Sequence, residues 1–306
     1  MRGGRWSSWL CVAALGCSGG VGDSGNIVVV GGSSSLYPLS EAVVEDFAAL
    51  HPGSRIVVGV SGTSGGLRRF CEGEVHIAGA SRAMTAAEAS RCRAASIDYI
   101  SLPVVRDGIA VVANPANTAV ECLTMAELRR IWEPQSVIAE WRDLRPSLPS
   151  QSIRLFAPGR DSGTLHFFTS VVVGRPGASR TDHYQTEDDH LIVRGVAGSR
   201  WALGYYSLAS DAASGHRVRT LGVDSGVGCI RPMPTTIADG SYAPLARELR
   251  ILVRRSYNGF EEPHRLAAHY LRASGRLAPE LGYAPLPAPE YERGLRLLGD
   301  SGVVLP

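Results

Sequence analysis

The chain has 306 residues, 44% of them hydrophobic, and a formal charge of +2 from 31 basic and 29 acidic side chains. That length exceeds a usual single domain and predicts two lobes, while the near balance of charge excludes a general basic field for nucleic acid or an anionic membrane. All 31 basic residues are Arg, a bias that a GC-rich genome explains; a Walker phosphate loop, a Schiff base and a lysine general base are thereby excluded.

Residues 1–25 read as a signal peptide and tether. Arg2 and Arg5 precede an apolar stretch over 9–15, too short for a membrane span, and Ala14-Leu15-Gly16-Cys17 resembles a lipobox. Cys17 is therefore the expected lipidation site, with ordinary cleavage nearby as the alternative, and loss of Arg2 and Arg5 would leave a side-chain charge of 2 − 2 = 0. The expected location is the periplasm or the outer face of a bacterial membrane.

A strand over 27–30 enters Gly31-Gly32-Ser33-Ser34-Ser35-Leu36, and Val43, Val44, Phe47 and Leu50 then recur at helical spacing over 39–50. A second strand, 55–60, enters Gly62-Thr63-Ser64-Gly65-Gly66 and a helix over 66–71. A third, 74–80, ends at Ser81-Arg82 before a capped helix over 85–94. Apolar runs at 99–105 and 109–112 flank Asp107-Gly108 and predict one long extended element passing between lobes. Thr124 and Glu127 have capping-box spacing for a helix through Trp132. A strand at 153–156 leads into Gly159-Arg160-Asp161-Ser162-Gly163-Thr164 and a helix over 164–172. Further strands are expected at 201–206, 218–223 and 249–253, with a helix over 263–274.

The Ser/Gly clusters supply hydroxyls and open backbone N–H groups, and Arg82 and Arg160 add guanidinium donors. Three clusters precede helices, whose N-termini concentrate orphan donors and positive dipole ends. Together they suit a tetrahedral oxyanion. Four cysteines follow the leader, and export favours disulfides; of three connectivities the expected one is Cys71–Cys92 with Cys122–Cys229. No CxxC spacing supports a metal, and Asp182 with the acidic run at 187–189 reads as solvated, so neither metal nor cofactor is expected. Trp132, Trp141 and Trp201 read as packing residues. Residues 62–66 also match G-x-S-x-G, yet His166, His183, His190, His216, His264 and His269 lack a recognisable catalytic context.

With its clusters in this order, the chain resembles the phosphate-binding proteins of bacterial phosphate ABC importers, in the periplasmic binding protein superfamily. The likeness runs over about residues 27–298 and includes the stretch 107–115, Leu123-Thr124 with Ile131-Trp132, Gly195-Val196-Ala197-Gly198 and Ala202-Leu203-Gly204-Tyr205-Tyr206. The resemblance implies an α/β, two-lobed, type II periplasmic binding protein fold, each lobe a mixed sheet flanked by helices around a ligand cleft. Lobe I would comprise 27–108 and 226–306, and lobe II 109–225. It implies a monomeric, non-enzymatic receptor that takes inorganic phosphate and passes it to ABC permease subunits.

Carried over by position, the ligand set would be Ser34, Ser35, Leu36, Ser64 and Arg82 from one lobe, and Arg160, Ser162, Gly163 and Thr164 from the other. Well-known members carry Asp where Arg82 stands, a carboxylate that accepts the proton of hydrogen phosphate; other members share the Ser-Arg pair. Asp161 and Asp107 are the substitute acceptors expected here. A receptor for sulfate or molybdate, a sensory protein and a serine hydrolase or phosphatase are the competing readings.

Overall fold

The computed structural model describes residues 27–299 except 213, 214 and 216, so the expected signal peptide, tether and Cys17 lie outside the described residues. Strand, loop and helix units build the first lobe. β1 (Val28–Gly32) passes through a 3₁₀ turn at Ser34–Leu36 into α1 (Tyr37–Leu50), where Pro38 occupies the first turn and Leu39, Val43 and Phe47 face the core. β2 (Ile56–Val60) enters α2 (Gly62–Glu72), which begins at Gly62 rather than Gly66. The glycines of this segment read as a turn in sequence, yet they let the helix start directly against neighbouring backbone. β3 (Ile77–Ala80) precedes α3 (Ala86–Ala94), whose Thr85–Glu88 capping box satisfies its first-turn donors.

β4 (Tyr99–Ala113) is the expected long crossover. Beyond it come β5 (Cys122–Thr124), α4 (Met125–Trp132) with its Thr124–Glu127 capping box, α5 (Trp141–Leu144), β6 (Arg154–Pro158) and α6 (Gly163–Val172). β7 (Tyr184–Thr186), α7 (Asp189–Ala197), β8 (Ala202–Ser207), α8 (Leu208–Ala212), β9 (Arg219–Thr220), β10 (Gly222–Asp224), β11 (Cys229–Ile230) and α9 (Pro234–Ala238) complete the second lobe. The chain then returns through β12 (Ala246–Arg254) to α10 (Glu262–Leu277), β13 (Ala284–Pro285) and α11 (Ala288–Gly299).

The main sheet runs β2-β1-β3-β12-β4-β8-β6-β7. Residues 99–108 of β4 pair antiparallel with β12, and 109–113 pair antiparallel with β8, so one strand serves both lobes. On either side the pairings β2-β1-β3 and β8-β6-β7 are parallel, which puts the following loops at the carboxyl ends of strands. One core gathers Val28, Phe47, Ile251 and Tyr270; another gathers Val111, Trp132, Trp141, Phe168 and Tyr205. Among the described residues no helix is long and apolar enough to cross a membrane.

The disulfides join Cys71 to Cys92 and Cys122 to Cys229, with Cα separations of 4.5 and 6.1 Å. The second bond bears on the lobe boundary. It holds β11 beside β10 and β5, and Ile237, Tyr242 and Leu245 pack into the second-lobe core. β12 begins at Ala246, and we propose that the return crossing lies there, whereas the boundary expected from sequence is residue 226.

Candidate functional site

The two strands that pass between the lobes carry Asp107 and Arg247 directly opposite one another in the β4–β12 register. Arg247 Nη2 donates to Asp107 Oδ2 at 3.0 Å, to Ser35 Oγ at 2.9 Å and to Thr164 Oγ1 at 2.7 Å. Ser35 and Thr164, from opposite lobes, share a 2.9 Å hydrogen bond, and Ser207 donates to Asp107 Oδ1 at 2.9 Å. The Arg247 and Asp107 side chains are 2% and 0% exposed, and Arg247 Nη1 is buried with no partner among the described residues. This floor thus has donor capacity to spare beside two hydroxyls in a region screened from water. Burial pushes the Asp107 carboxyl up, against the opposing pull of Arg247 and Ser207.

At the rim, Arg82 grips both Glu88 oxygens at 2.8 Å and uses Nη2 to donate to Ser64 Oγ at 2.8 Å. Burial works to raise Glu88, but the bonds from Arg82 and Thr85 outweigh it and hold its carboxyl below the usual range. Next to this pair, Thr63 Oγ1 accepts the Ser81 N–H at 3.2 Å and shares a 2.9 Å hydrogen bond with Ser81 Oγ. Both residues are fully buried.

The opposing wall is the turn into α6. Ser162 caps that helix by accepting the Thr164 N–H at 3.1 Å, and the Asp161 carbonyl accepts the Ser64 N–H across the cleft at 3.1 Å. Such an approach requires glycine on both sides. A Cβ on Gly163 would stand 2.1 Å from Ser81 Oγ, and one on Gly62, at φ +68°, would stand 2.7 Å from the Asp161 carbonyl oxygen. The starts of α2 and α6 therefore meet nose to nose, with the 3₁₀ turn before α1 alongside, and their positive ends converge.

Of the residues expected from sequence, Ser35, Ser64, Arg82, Ser162, Gly163, Thr164 and Asp107 come together here. Leu36 is buried beneath them, its N–H bonded to the Ser33 carbonyl at 3.1 Å. Ser34 faces an adjoining interlobe cavity of about 410 Å³ shared with Tyr37, Glu187 and Asp189. Arg160 and the Asp161 side chain are exposed; Arg160 borders a separate pocket with His166, Arg180 and Gln185. The buried arginine that touches both lobes is Arg247, which sequence reasoning missed along with Ser207, while Thr63 and Ser81 belonged to the expected hydroxyl clusters but not to the expected ligand set. Ser64 Oγ accepts from a guanidinium, a partner that cannot take its proton as a general base does. Among the described residues no group of three or more His, Cys, Asp or Glu is placed to hold a metal ion.

The chain is similar to known proteins over most of its length. The profile of the PBP superfamily domain matches residues 19–272. Protein SphX of Synechocystis sp. is 39% identical over 271 residues, covering 87% of this chain and 80% of that protein. The phosphate-binding protein PstS of Staphylococcus saprophyticus is 29% identical over 297 residues, covering 94% and 90%. A solved structure described as a possible phosphate binding protein from Planctomyces limnophilus is 35% identical, with a TM-score of 0.62 over 90% of this chain and 98% of its own. The phosphate-bound substrate-binding protein of a putative phosphate ABC transporter from Clostridium perfringens shares the fold at a TM-score of 0.69 and 23% identity, covering 86% and 100%.

Proposed function

The chain belongs to the PBP superfamily, and we propose that it is an exported, non-enzymatic receptor that closes its two lobes on inorganic phosphate and hands the anion to an ABC permease. The observation that carries this reading is the buried Ser35–Arg247–Thr164 cluster, one guanidinium joining hydroxyls of both lobes. Hydroxyls, helix N-termini and a fixed arginine offer a phosphate many short hydrogen bonds and no leaving-group chemistry. The names of PstS and of the Planctomyces and Clostridium structures point to the same ligand. In this reading the leader is removed, Cys17 is lipidated and the receptor works as a monomer.

Ser35, Ser64, Ser162 and Thr164 supply hydroxyl contacts, the starts of α2 and α6 supply N–H groups, and Arg247 supplies the buried positive charge. Arg82 orients Ser64 and is itself held by Glu88. Asp107 is the carboxylate that shares the Arg247 Nη2 group with the two cradle hydroxyls, and we assign it as acceptor for the proton of hydrogen phosphate. Thermal melting of the ligand-stripped protein tests the reading. Phosphate is expected to raise Tm, because a ligand bound only by the folded state stabilises it by mass action, while sulfate leaves Tm unchanged. Equal shifts with both anions favour a general oxyanion receptor; no shift with either removes the transport reading.

A further inference from the structure

We propose that Glu187 is a positioning residue: its carboxylate fills the backbone of the Gly159–Ser162 turn as an internal anion and thereby aims the second-lobe half of the cradle at phosphate. Glu187 lies between β7 and α7, on the cavity that adjoins the cradle and outside the ligand set assigned above. Its Oε1 accepts the Asp161 N–H at 3.0 Å. The same turn is tied to β7 by the Gly159 N–H, which bonds the Thr186 carbonyl at 2.8 Å. Asp161 is thus held at both ends of its backbone, its N–H by Glu187 and its carbonyl by the Ser64 N–H from the opposite lobe.

Gly159 is adapted to this arrangement. A Cβ there would lie 2.2 Å from Glu187 Oε1 and 2.9 Å from its carboxyl carbon, so the carboxylate occupies space that any other residue at 159 would claim. Glu187 Oε2 is buried with no partner among the described residues. Burial pushes the carboxyl up, the backbone donors of Asp161 and Ser162 hold it back, and the charges of Asp161 and Asp189 push it further up. The Asp161 N–H offsets part of the cost of that burial. N–H groups before a helix attract anions, and Glu187 takes up the one on Asp161. Phosphate is then directed to the Ser162 and Thr164 side of the turn, facing Ser35 and Arg247.

This role deepens the phosphate reading and rests on it. Phosphate affinity and amide hydrogen exchange are measured on the wild type, Glu187→Ala, Glu187→Gln, Gly159→Ala and the Gly159→Ala/Glu187→Ala double variant. Glu187→Ala should weaken phosphate binding by about tenfold or more and speed exchange at the Asp161 amide without phosphate; Glu187→Gln, which keeps an acceptor, should stay within about threefold of the wild type. Gly159→Ala alone should weaken binding, but should add less than about twofold once Glu187 is already Ala, because the clash is then gone. Unchanged exchange at Asp161 in Glu187→Ala overturns the positioning role by itself. So does an additive penalty in the double variant. A wild type that binds no phosphate instead overturns the functional reading, and the exchange arm still reports whether Glu187 holds the turn.

Discussion

The rim and the floor of the cleft each pair an arginine with a carboxylate, and they do so under opposite conditions. Arg82 and Glu88 are six residues apart, with side chains 13% and 16% exposed. Arg247 and Asp107 are 140 residues apart, 2% and 0% exposed, and lie on the two strands that cross between lobes. Both arginines are neutralised by their partners and both still reach cradle hydroxyls. In the proposed site the anion would therefore be held by oriented donors more than by net positive charge. The difference in burial decides their weight. Water and salt weaken the rim pair, whereas at the floor each hydrogen bond acts in a low dielectric and an unpaired charge is heavily penalised.

The comparison breaks most sharply at Arg247. Arg247→Ala should lower phosphate affinity by about a hundredfold or more, since it deletes charge-assisted bonds to both lobes. It should also lower stability by about 3–5 kcal/mol by leaving Asp107 buried and unpaired. Adding Asp107→Asn should restore most of the stability and none of the affinity; wild-type affinity in either variant would take Arg247 out of the cradle.

Arg82→Ala should cost about tenfold at low salt and less at high salt, because its contact is single and partly screened. The rim pair also has a pH signature. Glu88 is held below its ordinary pKa, so its stabilisation is present above the unfolded value and is lost as pH falls through the lowered folded value. Glu88→Gln should flatten that acid-side loss in a Tm profile, and an unaltered profile would show that the pair contributes nothing. The smallest effect is expected from Arg160→Ala, within about twofold, as befits an exposed side chain outside the cluster. A tenfold loss there would move the anion toward the Arg160 pocket and contradict the floor assignment.

What was legible in sequence follows the same division between near and far. Thr85 with Glu88 and Thr124 with Glu127 announce helix starts because the capping chemistry lies within four consecutive residues. The Ser/Gly loops after β1, β2 and β6 were readable because strand, turn and helix follow one another along the chain. Arg247 was not readable. In sequence it is one of several charges opening a strand, and only the β4–β12 register sets it against Asp107. Arg160 shows the converse. It adjoins Ser162 and Thr164 in the chain, but the turn anchored by Thr186 and Glu187 leaves it on the surface. Cys229, just past the boundary expected at residue 226, is bonded to Cys122 and sits in the β11-β10-β5 sheet, a tie whose bearing on the boundary needs the fold to be seen.

The most direct test is isothermal titration of phosphate into three ligand-stripped proteins: the wild type, Arg247→Ala/Asp107→Asn and Arg160→Ala. The account predicts one phosphate per chain for the wild type and Arg160→Ala, and no measurable heat for the floor variant. Binding that survives loss of the floor pair but disappears with Arg160 would contradict it, as would a wild type that gives no heat at all.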